Sequence, residues 1–166
     1  MHLKLIRDVS KKLSHQGCIT TIGNFDGLHL GHQKILDIVF HQAKLHQLPC
    51  AMLTFEPYPK EFFLKDKSPK RLTSLAEKIA ILKNMPLNYL IAARFNQNLA
   101  NIKAENFISE ILVKNLKTKV LVIGNDFHFG KNREGNFDTL KKFSEIFSFE
   151  IIQMPEFKLD HLAIHS

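Results

Sequence analysis

The amino-acid sequence predicts an α/β fold built on a doubly wound, five-stranded parallel sheet. Three observations lead to this prediction. Short, mostly apolar segments recur along the chain, segments with helical periodicity lie between them, and Gly, Pro or Asn residues bound the apolar segments. Continuous apolarity is typical of strands that helices cover on both faces. Regular alternation of such strands with helices favours a parallel sheet.

Five strands and four helices are predicted. The strands are residues 18–24, 50–55, 89–95, 119–124 and 149–154, and the helices are residues 31–46, 75–83, 104–115 and 138–147. The first helix has one apolar face, formed by Ile35, Leu36, Val39 and Phe40. The second helix begins with a capping box, in which Ser74 and Glu77 satisfy amides of the first turn.

Length and composition indicate one globular domain. The chain has 166 residues, of which 45% are hydrophobic and 23% are charged. Its apolar runs are too short for a membrane span, and the first residues do not resemble a secretory signal, so we expect a cytoplasmic protein with no membrane partner. Cys18 and Cys50 form no metal-binding spacing and are expected to be buried thiols. The net charge of +7 is compatible with binding of nucleic acid or with a site that binds anionic phosphates.

The carboxyl ends of the strands are where a parallel sheet binds its ligands. The predicted ends are residues 23–27, 56–59, 94–96 and 124–130, and three of these four are unusually rich in polar and aromatic residues. The segment 56–71 holds three of the six prolines together with five basic residues, and we expect it to form a long, partly stiffened flap. These loops are therefore the place to look for chemistry.

Two common phosphate-binding motifs, GxxxxGK[ST] and GxGxxG, do not occur in the sequence. The candidate phosphate-binding turn is instead Gly23-Asn24-Phe25-Asp26-Gly27-Leu28-His29-Leu30-Gly31-His32, which joins the first strand to the first helix. Its glycines permit close approach of a ligand, and the helix N-terminus favours an anion. His29 and His32 are neighbours on the first helical turn, where imidazoles can stabilise phosphate charge. A metal site is the weaker interpretation, because no acidic or Cys ligand stands at HExxH-type spacing.

This turn resembles the GxFDGxHxGH signature of the HxGH nucleotidyltransferase superfamily. Four further stretches narrow the resemblance to the adenylyltransferase module of bacterial bifunctional FAD synthetase (riboflavin kinase/FMN adenylyltransferase): Thr54-Phe55-Glu56-Pro57-Tyr58-Pro59-Lys60-Glu61-Phe62-Phe63, Arg71-Leu72-Thr73-Ser74, Ala104-Glu105-Asn106-Phe107-Ile108, and Gly124-Asn125-Asp126-Phe127-His128-Phe129-Gly130 with Arg133-Glu134-Gly135. In order and spacing these stretches cover nearly the whole chain. The resemblance also implies a Rossmann-like HxGH nucleotidyltransferase fold.

The resemblance implies transfer of AMP from ATP to FMN, giving FAD and pyrophosphate, with Mg²⁺ as part of the substrate complex. It assigns the catalytic role to His29 and His32. ATP would be bound by Gly23, Asn24, Phe25, Asp26, His29, Gly31 and His32. The flavin would be bound by Pro57, Pro59, Phe63, Asp126 and Phe129, although packing in the core is the alternative role for the phenylalanines. The ligands of the Mg²⁺ ion stay unassigned.

The chain departs from the family pattern in two places. Tyr58 stands where many members have His, so we assign that position no catalytic role. The family continues with an ISSTxxR-type segment and then a covalently linked riboflavin kinase domain, whereas this sequence stops at Ile164-His165-Ser166. We therefore expect residues 1–166 to be an adenylyltransferase domain truncated before that segment, with reduced turnover.

Two alternative functions are carried forward. The first is an HxGH nucleotidyltransferase that uses another phosphorylated acceptor, although the FEPxP and DFxFG boxes favour a flavin. The second is a non-catalytic basic module that binds nucleic acid. The sequence contains no RNP, KH or helix-turn-helix pattern that would support it. Binding by such a module would weaken steeply with salt and would not depend on MgATP.

Overall fold

A computed structural model describes residues 2–10, 12–13, 16–28, 30–155, 157–159 and 162–164. Six parallel strands form one sheet in the order β1-β4-β3-β2-β5-β6. The strands are β1 (Lys4–Ile6), β2 (Cys18–Ile22), β3 (Cys50–Glu56), β4 (Tyr89–Arg94), β5 (Thr118–Ile123) and β6 (Glu150–Gln153). Near the end of the chain, β7 (Phe157–Leu159) and β8 (Leu162–Ile164) pair as an antiparallel hairpin.

Helices cover both faces of the sheet. They are α1 (Leu30–His46), α2 (Pro59–Leu64), α3 (Leu75–Leu82), α4 (Gln97–Ala100), α5 (Ala104–Asn106) and α6 (Phe137–Phe147). One hydrophobic cluster contains side chains of α1 and α3, and a second contains side chains of α6 and of the helical segment that follows α5. The doubly wound α/β class predicted from the sequence is confirmed.

The strand count was predicted wrongly, because the sheet has six strands and not five. The additional strand is β1, which pairs with β4 at the edge of the sheet. β1 has only three residues, and Lys4 and Leu5 are exposed while Ile6 is partly buried. A short, half-exposed edge strand lacks the continuous apolarity by which the buried strands were identified.

The predicted helix over residues 104–115 is not a uniform α-helix. After α5 it continues as a π-helix over Phe107–Asn115, and the amide of Leu116 donates to the carbonyl of Ile111, five residues back. Ile111 and Leu116 are both buried. The wider turn brings residues five apart onto the same face, which α-helical periodicity does not predict.

The flap, residues 56–71, is more ordered than the sequence suggested. It contains α2, which begins at Pro59, and a short 3₁₀ turn over Lys65–Lys67. Pro59 occupies the first helical position, where its missing amide costs nothing, and the Glu61 carboxylate accepts a 2.7 Å hydrogen bond from the Tyr58 amide. Local start signals in the sequence therefore explain this helix.

Two smaller predictions are confirmed. The capping box of α3 forms, since Ser74 Oγ accepts from the Glu77 amide and the Glu77 carboxylate accepts from the Ser74 amide. Cys18 and Cys50 are buried free thiols, and burial raises the pKa of each to about 11. Within the described part of the chain, none of the helices is long and apolar enough to cross a bilayer.

Candidate functional site

The winding of the sheet reverses between β2 and β5. These strands are neighbours, but the chain leaves β2 toward β3 on one side and leaves β5 toward β6 on the other side. Loops that diverge at such a point open a crevice beyond the carboxyl ends of the strands. Two loops flank it: the glycine loop, residues 23–28 after β2, and the aromatic loop, residues 124–135 after β5. The sequence predicted both loops as site regions.

The glycine loop has an unusual backbone. The φ angle is 52° at Phe25, 79° at Gly27 and 43° at Leu28. Positive φ suits glycine but is unfavourable for Phe and Leu, so the fold must hold those two residues in place. Phe25 and Leu28 are both buried, in the same hydrophobic cluster as the apolar face of α1. Burial of these side chains therefore helps to maintain the shape of the loop.

Asp26 ties the glycine loop to the two residues that follow the flap. Its carboxylate accepts hydrogen bonds from the amides of Leu72, at 2.8 and 3.0 Å, and of Thr73, at 2.9 Å. The Gly27 amide donates in return to Thr73 Oγ1 at 2.9 Å. The carboxylate thus supports the backbone of the loop, and the predicted ATP-binding role of Asp26 stays a prediction.

Lys78 of α3 lies beneath the same loop. Its ammonium donates to the carbonyl of Asn24 at 2.6 Å and to the hydroxyl of Tyr58 at 3.0 Å. The Tyr58 hydroxyl donates in turn to Asp26 Oδ1 at 3.3 Å. Lys78 is fully buried, and this burial lowers its pKa to about 8. Helix α3, the flap and the glycine loop are therefore joined by one polar network.

Arg71 closes the flap on itself. One of its terminal nitrogens contacts both carboxylate oxygens of Glu56, at 2.8 and 2.9 Å, and the other contacts Glu61 at 2.6 Å. The guanidinium also lies 3.9 Å from the centre of the Tyr58 ring. Hydrogen bonds from Arg71 are the largest cause that lowers the pKa of Glu61. The same partners raise the pKa of Arg71, and burial raises that of Tyr58.

The two predicted catalytic histidines are not described equally. His32 lies in the first turn of α1, is fully buried, and its ring is tilted against Phe25 with 5.1 Å between ring centres. Gly31 precedes it in the same turn and is partly buried. His29 lies outside the described residues. The catalytic roles of both histidines stay predictions.

The flap presents the predicted flavin-binding residues differently. Pro57 is exposed, Pro59 is partly buried at the start of α2, and Phe63 is 60% exposed. The Phe63 ring is nearly perpendicular to the ring of Phe62, at 5.2 Å between ring centres, and to that of Phe95, at 5.7 Å. An exposed aromatic ring beside other aromatic rings suits contact with a flat apolar ligand.

The aromatic loop separates the two residues predicted there. Asp126 is exposed, whereas Phe129 is buried and stacks on Phe127 with 5.4 Å between ring centres. Phe129 also packs against Phe107, and its backbone pairs with Gly135 through two hydrogen bonds. Core packing, the alternative role, describes these contacts of Phe129. Its contribution to flavin binding stays a prediction.

Sequence reasoning did not identify Lys78, Arg71 or Phe95 as site residues. A signal existed for Lys78, since it falls on the face of α3 that carries Leu75, Ile79 and Leu82, where a lysine is out of place. Among the described residues no group of three or more His, Cys, Asp or Glu side chains is placed to hold a metal ion. The network of the flap thus consists of ion pairs and hydrogen bonds.

Comparison with known proteins gives consistent results. The family model described as FAD synthetase matches residues 11–166. The chain is 41% identical over 157 residues to the bifunctional riboflavin kinase/FMN adenylyltransferase of Escherichia coli (strain K12), covering 93% of this chain and 50% of the relative. The protein of the same description from Haemophilus influenzae is 42% identical over 151 residues, covering 91% of this chain and 49% of the relative. The chain therefore spans about half the length of these curated relatives.

A crystal structure described as a macrolide-efflux protein from Streptococcus pneumoniae has the same fold. Its TM-score is 0.79 at 24% sequence identity, and the match covers 99% of this chain and 54% of that chain. At this level of identity the likeness concerns the fold alone.

Proposed function

The chain belongs to the FAD synthetase family, and from that premise we propose that it transfers AMP from ATP to FMN, giving FAD and pyrophosphate. The observation that carries the proposal is the glycine loop. It lies at the point where the sheet reverses its winding, and it leads into the N-terminus of α1. Loops of this kind bind nucleotides in doubly wound sheets, because backbone amides and the helix N-terminus favour phosphate groups.

In the proposed reaction an oxygen of the FMN phosphate attacks the α-phosphorus of ATP in line. A new bond forms between this oxygen and the α-phosphorus, and the bond from the α-phosphorus to the oxygen shared with the β-phosphate breaks. The electron pair of that bond leaves with pyrophosphate. The FMN phosphate is largely ionised near neutral pH, with a second pKa of about 6, so the attack needs no general base. Positioning and charge stabilisation supply the catalysis.

The proposed site residues fall into two groups, one that binds ATP and one that binds the flavin. We assign the ATP phosphates to the backbone of residues 23–26, to Gly31 and to the side chains of His29 and His32. The flavin is assigned to the exposed face of the flap, with Pro57, Pro59 and Phe63, and to Asp126 and Phe129 of the aromatic loop. The exposed position of Phe63 supports the assignment of the flavin to the flap. The buried position of Phe129 favours an indirect contribution, through the shape of the aromatic loop.

Magnesium enters this proposal as MgATP. The Asp26 carboxylate, the acidic group of the glycine loop, is engaged by two amides and by Tyr58. The described residues hold no cluster of acidic or histidine side chains suited to a metal cage. Such a donor set fits an ion held chiefly by substrate phosphates and water, as Mg²⁺ usually is.

The relatives named above carry two activities in one chain. We assign the adenylyltransferase activity, and not the kinase activity, to residues 1–166, and we propose that a covalently linked riboflavin kinase domain is the partner in the longer proteins. The cytoplasmic location and the absence of a nucleic-acid partner stay predictions.

The test is a titration of FMN fluorescence with the protein in the presence and absence of MgATP, followed by chromatography of the products. Quenching that saturates and depends on MgATP, with equal amounts of FAD and pyrophosphate formed, is expected. Pyrophosphate release with pantetheine phosphate or nicotinamide mononucleotide, but not with FMN, would replace the flavin by another acceptor. Salt-sensitive RNA binding together with no nucleotide-dependent quenching would favour the basic binding module.

A further inference from the structure

Lys78 is an unusual residue for the interior of a protein. Among the described Lys, Arg, Asp and Glu side chains it is the one that is buried, with 0% exposure. Burial of an ammonium group is costly unless hydrogen bonds and nearby charges compensate for the lost water. A purely structural position on α3 would be filled more favourably by Leu or Met. The contacts of the ammonium should therefore reveal what it does.

Each of these contacts leads toward the glycine loop. The ammonium reaches the Asn24 carbonyl directly, at 2.6 Å. It reaches Asp26 through Tyr58, whose hydroxyl accepts from Lys78 at 3.0 Å and donates to Asp26 Oδ1 at 3.3 Å. A phenol has one hydrogen to donate, and Tyr58 donates it to the Asp26 carboxylate while its oxygen accepts from Lys78.

The two anchored groups stand on either side of Phe25. The φ angle of 52° at Phe25 is unfavourable for a phenylalanine, so contacts at its two neighbours add to the burial of its ring in holding this conformation. The Asn24 carbonyl is fixed from α3, and the Asp26 carboxylate is fixed by Tyr58 and by the amides of Leu72 and Thr73. The strained turn is thus held from outside the loop.

We propose that Lys78 and Tyr58 are positioning residues, which hold the glycine loop in its strained shape and thereby align the nucleotide for adenylyl transfer. The predicted effect of these residues on turnover rests on the proposed function. Their predicted effect on the conformation of the glycine loop does not. It also gives Tyr58, to which the sequence analysis assigned no catalytic role, a role through its hydroxyl.

The experiment compares Lys78→Met and Tyr58→Phe with the control Lys83→Met. Lys83 follows α3 in the chain but is exposed, so its replacement removes the same charge from the surface. Two readouts are needed: kcat and KM per folded molecule for FAD formation, and amide hydrogen exchange without substrate. The informative amides are those of Gly27, Leu72 and Thr73, which join the loop to the segment that follows the flap.

We expect Lys78→Met to lower kcat by on the order of 10²-fold with a smaller change in KM, because misplacement by about 1 Å has such an effect. Tyr58→Phe should lower kcat by roughly tenfold and speed exchange at Leu72 and Thr73 by a similar factor, as expected for loss of one hydrogen bond. Lys83→Met should behave as the wild type in both readouts.

Unchanged kcat together with unchanged exchange in Tyr58→Phe would overturn the proposal, even if Lys78→Met fails to fold. A lower stability with wild-type kcat per folded molecule would reduce both residues to a structural role and would also overturn it. If the wild type forms no FAD but the two variants speed exchange, the proposed function fails while the positioning of the loop is supported.

Discussion

The guanidinium of Arg71 lies 3.9 Å from the centre of the Tyr58 ring. In this position it covers the ring whose hydroxyl links Lys78 to Asp26. The same guanidinium binds Glu56 at the end of β3 and Glu61 in α2. One side chain therefore fixes the start, the helix and the end of the flap relative to each other.

Replacing Arg71 by lysine should destabilise the protein although the charge is kept. Lysine cannot form the forked contacts to two carboxylates, and it stacks poorly on an aromatic ring. We expect the free energy of unfolding to fall by about 1–3 kcal/mol, as for the loss of partly buried charged hydrogen bonds. Urea denaturation measures this, with the exposed neighbour in Lys70→Met as control. Equal midpoints for Arg71→Lys and the control would contradict the prediction.

The ion pair also predicts how stability depends on acid. Arg71 lowers the pKa of Glu61 below its ordinary value of 4.5. A carboxyl group whose pKa is lower in the folded state stabilises the fold at pH values above its unfolded pKa. This contribution is lost as the pH falls through the folded pKa. The stability difference between the wild type and Arg71→Met should therefore shrink between about pH 5 and pH 3. A constant difference over this range would show that Glu61 does not sense Arg71.

Lys78 predicts that stability also depends on pH in the alkaline range. Its pKa is lowered from 10.5 to about 8, mainly by burial, while Glu56, Asp26 and Glu61 oppose this shift and Arg71 adds to it. Between these values the unfolded state binds more protons than the folded state, so the contribution of Lys78 to stability rises with pH.

The measurement is the unfolding free energy of the wild type minus that of Lys78→Met from about pH 8 to pH 10. We expect this difference to rise. The buried thiols of Cys18 and Cys50 lower stability over part of the same range, but they are common to both proteins and cancel. A flat or falling difference would refute the assignment.

Two glycines of the aromatic loop should respond differently to alanine. A Cβ at Gly135 would lie 2.6 Å from the Phe129 ring, whereas a Cβ at Gly124 meets only Asp126 Oδ1, at 3.8 Å. Gly135→Ala should lower the free energy of unfolding by about 1–3 kcal/mol, because a buried ring must move. Gly124→Ala should stay within about 0.5 kcal/mol of the wild type. Similar melting temperatures for both variants would contradict the packing of Phe129 against Gly135.

The histidine predictions can be tested by alanine substitution with a matched histidine control. His29→Ala or His32→Ala should slow adenylyl transfer by on the order of 10² or more, by analogy with removal of an oxyanion donor. The control is His41→Ala on the exposed side of α1. Because His32 is fully buried, its variant should be compared at a temperature well below its melting point. A variant that keeps the wild-type rate would remove that histidine from the mechanism.

Much of the fold follows from local signals in the sequence. Strands β2 to β6 lie in the mostly apolar segments from which they were predicted, and the start of α3 follows from Ser74 and Glu77. β1 escaped prediction because an edge strand with exposed Lys4 and Leu5 has no buried pattern to detect. The π-helix over Phe107–Asn115 was not predicted because its hydrogen bonds span five residues, and the apolar pattern of this segment was read with α-helical periodicity.

The candidate site was predicted in part. Residues 23–32 and the flap stand out by composition. The hydrogen bonds among Lys78, Tyr58 and Asp26 cannot be predicted from composition, because these residues lie up to 54 positions from the groups they bind. Helical periodicity marks Lys78 as misplaced on an apolar face, but only the packing of α3 against the loop shows which carbonyl compensates for its burial.

The order of the strands also governs how the protein forms during synthesis. The hydroxyl of Thr20 in β2 meets that of Thr118 in β5, 98 positions later. At a ribosomal rate of about 5–20 residues per second, roughly 5–20 s separate the synthesis of these two threonines. During this interval β2 can pair with β3 but has an open edge toward β5. The crevice between the glycine loop and the aromatic loop is consequently completed only after residues 124–135 have been made.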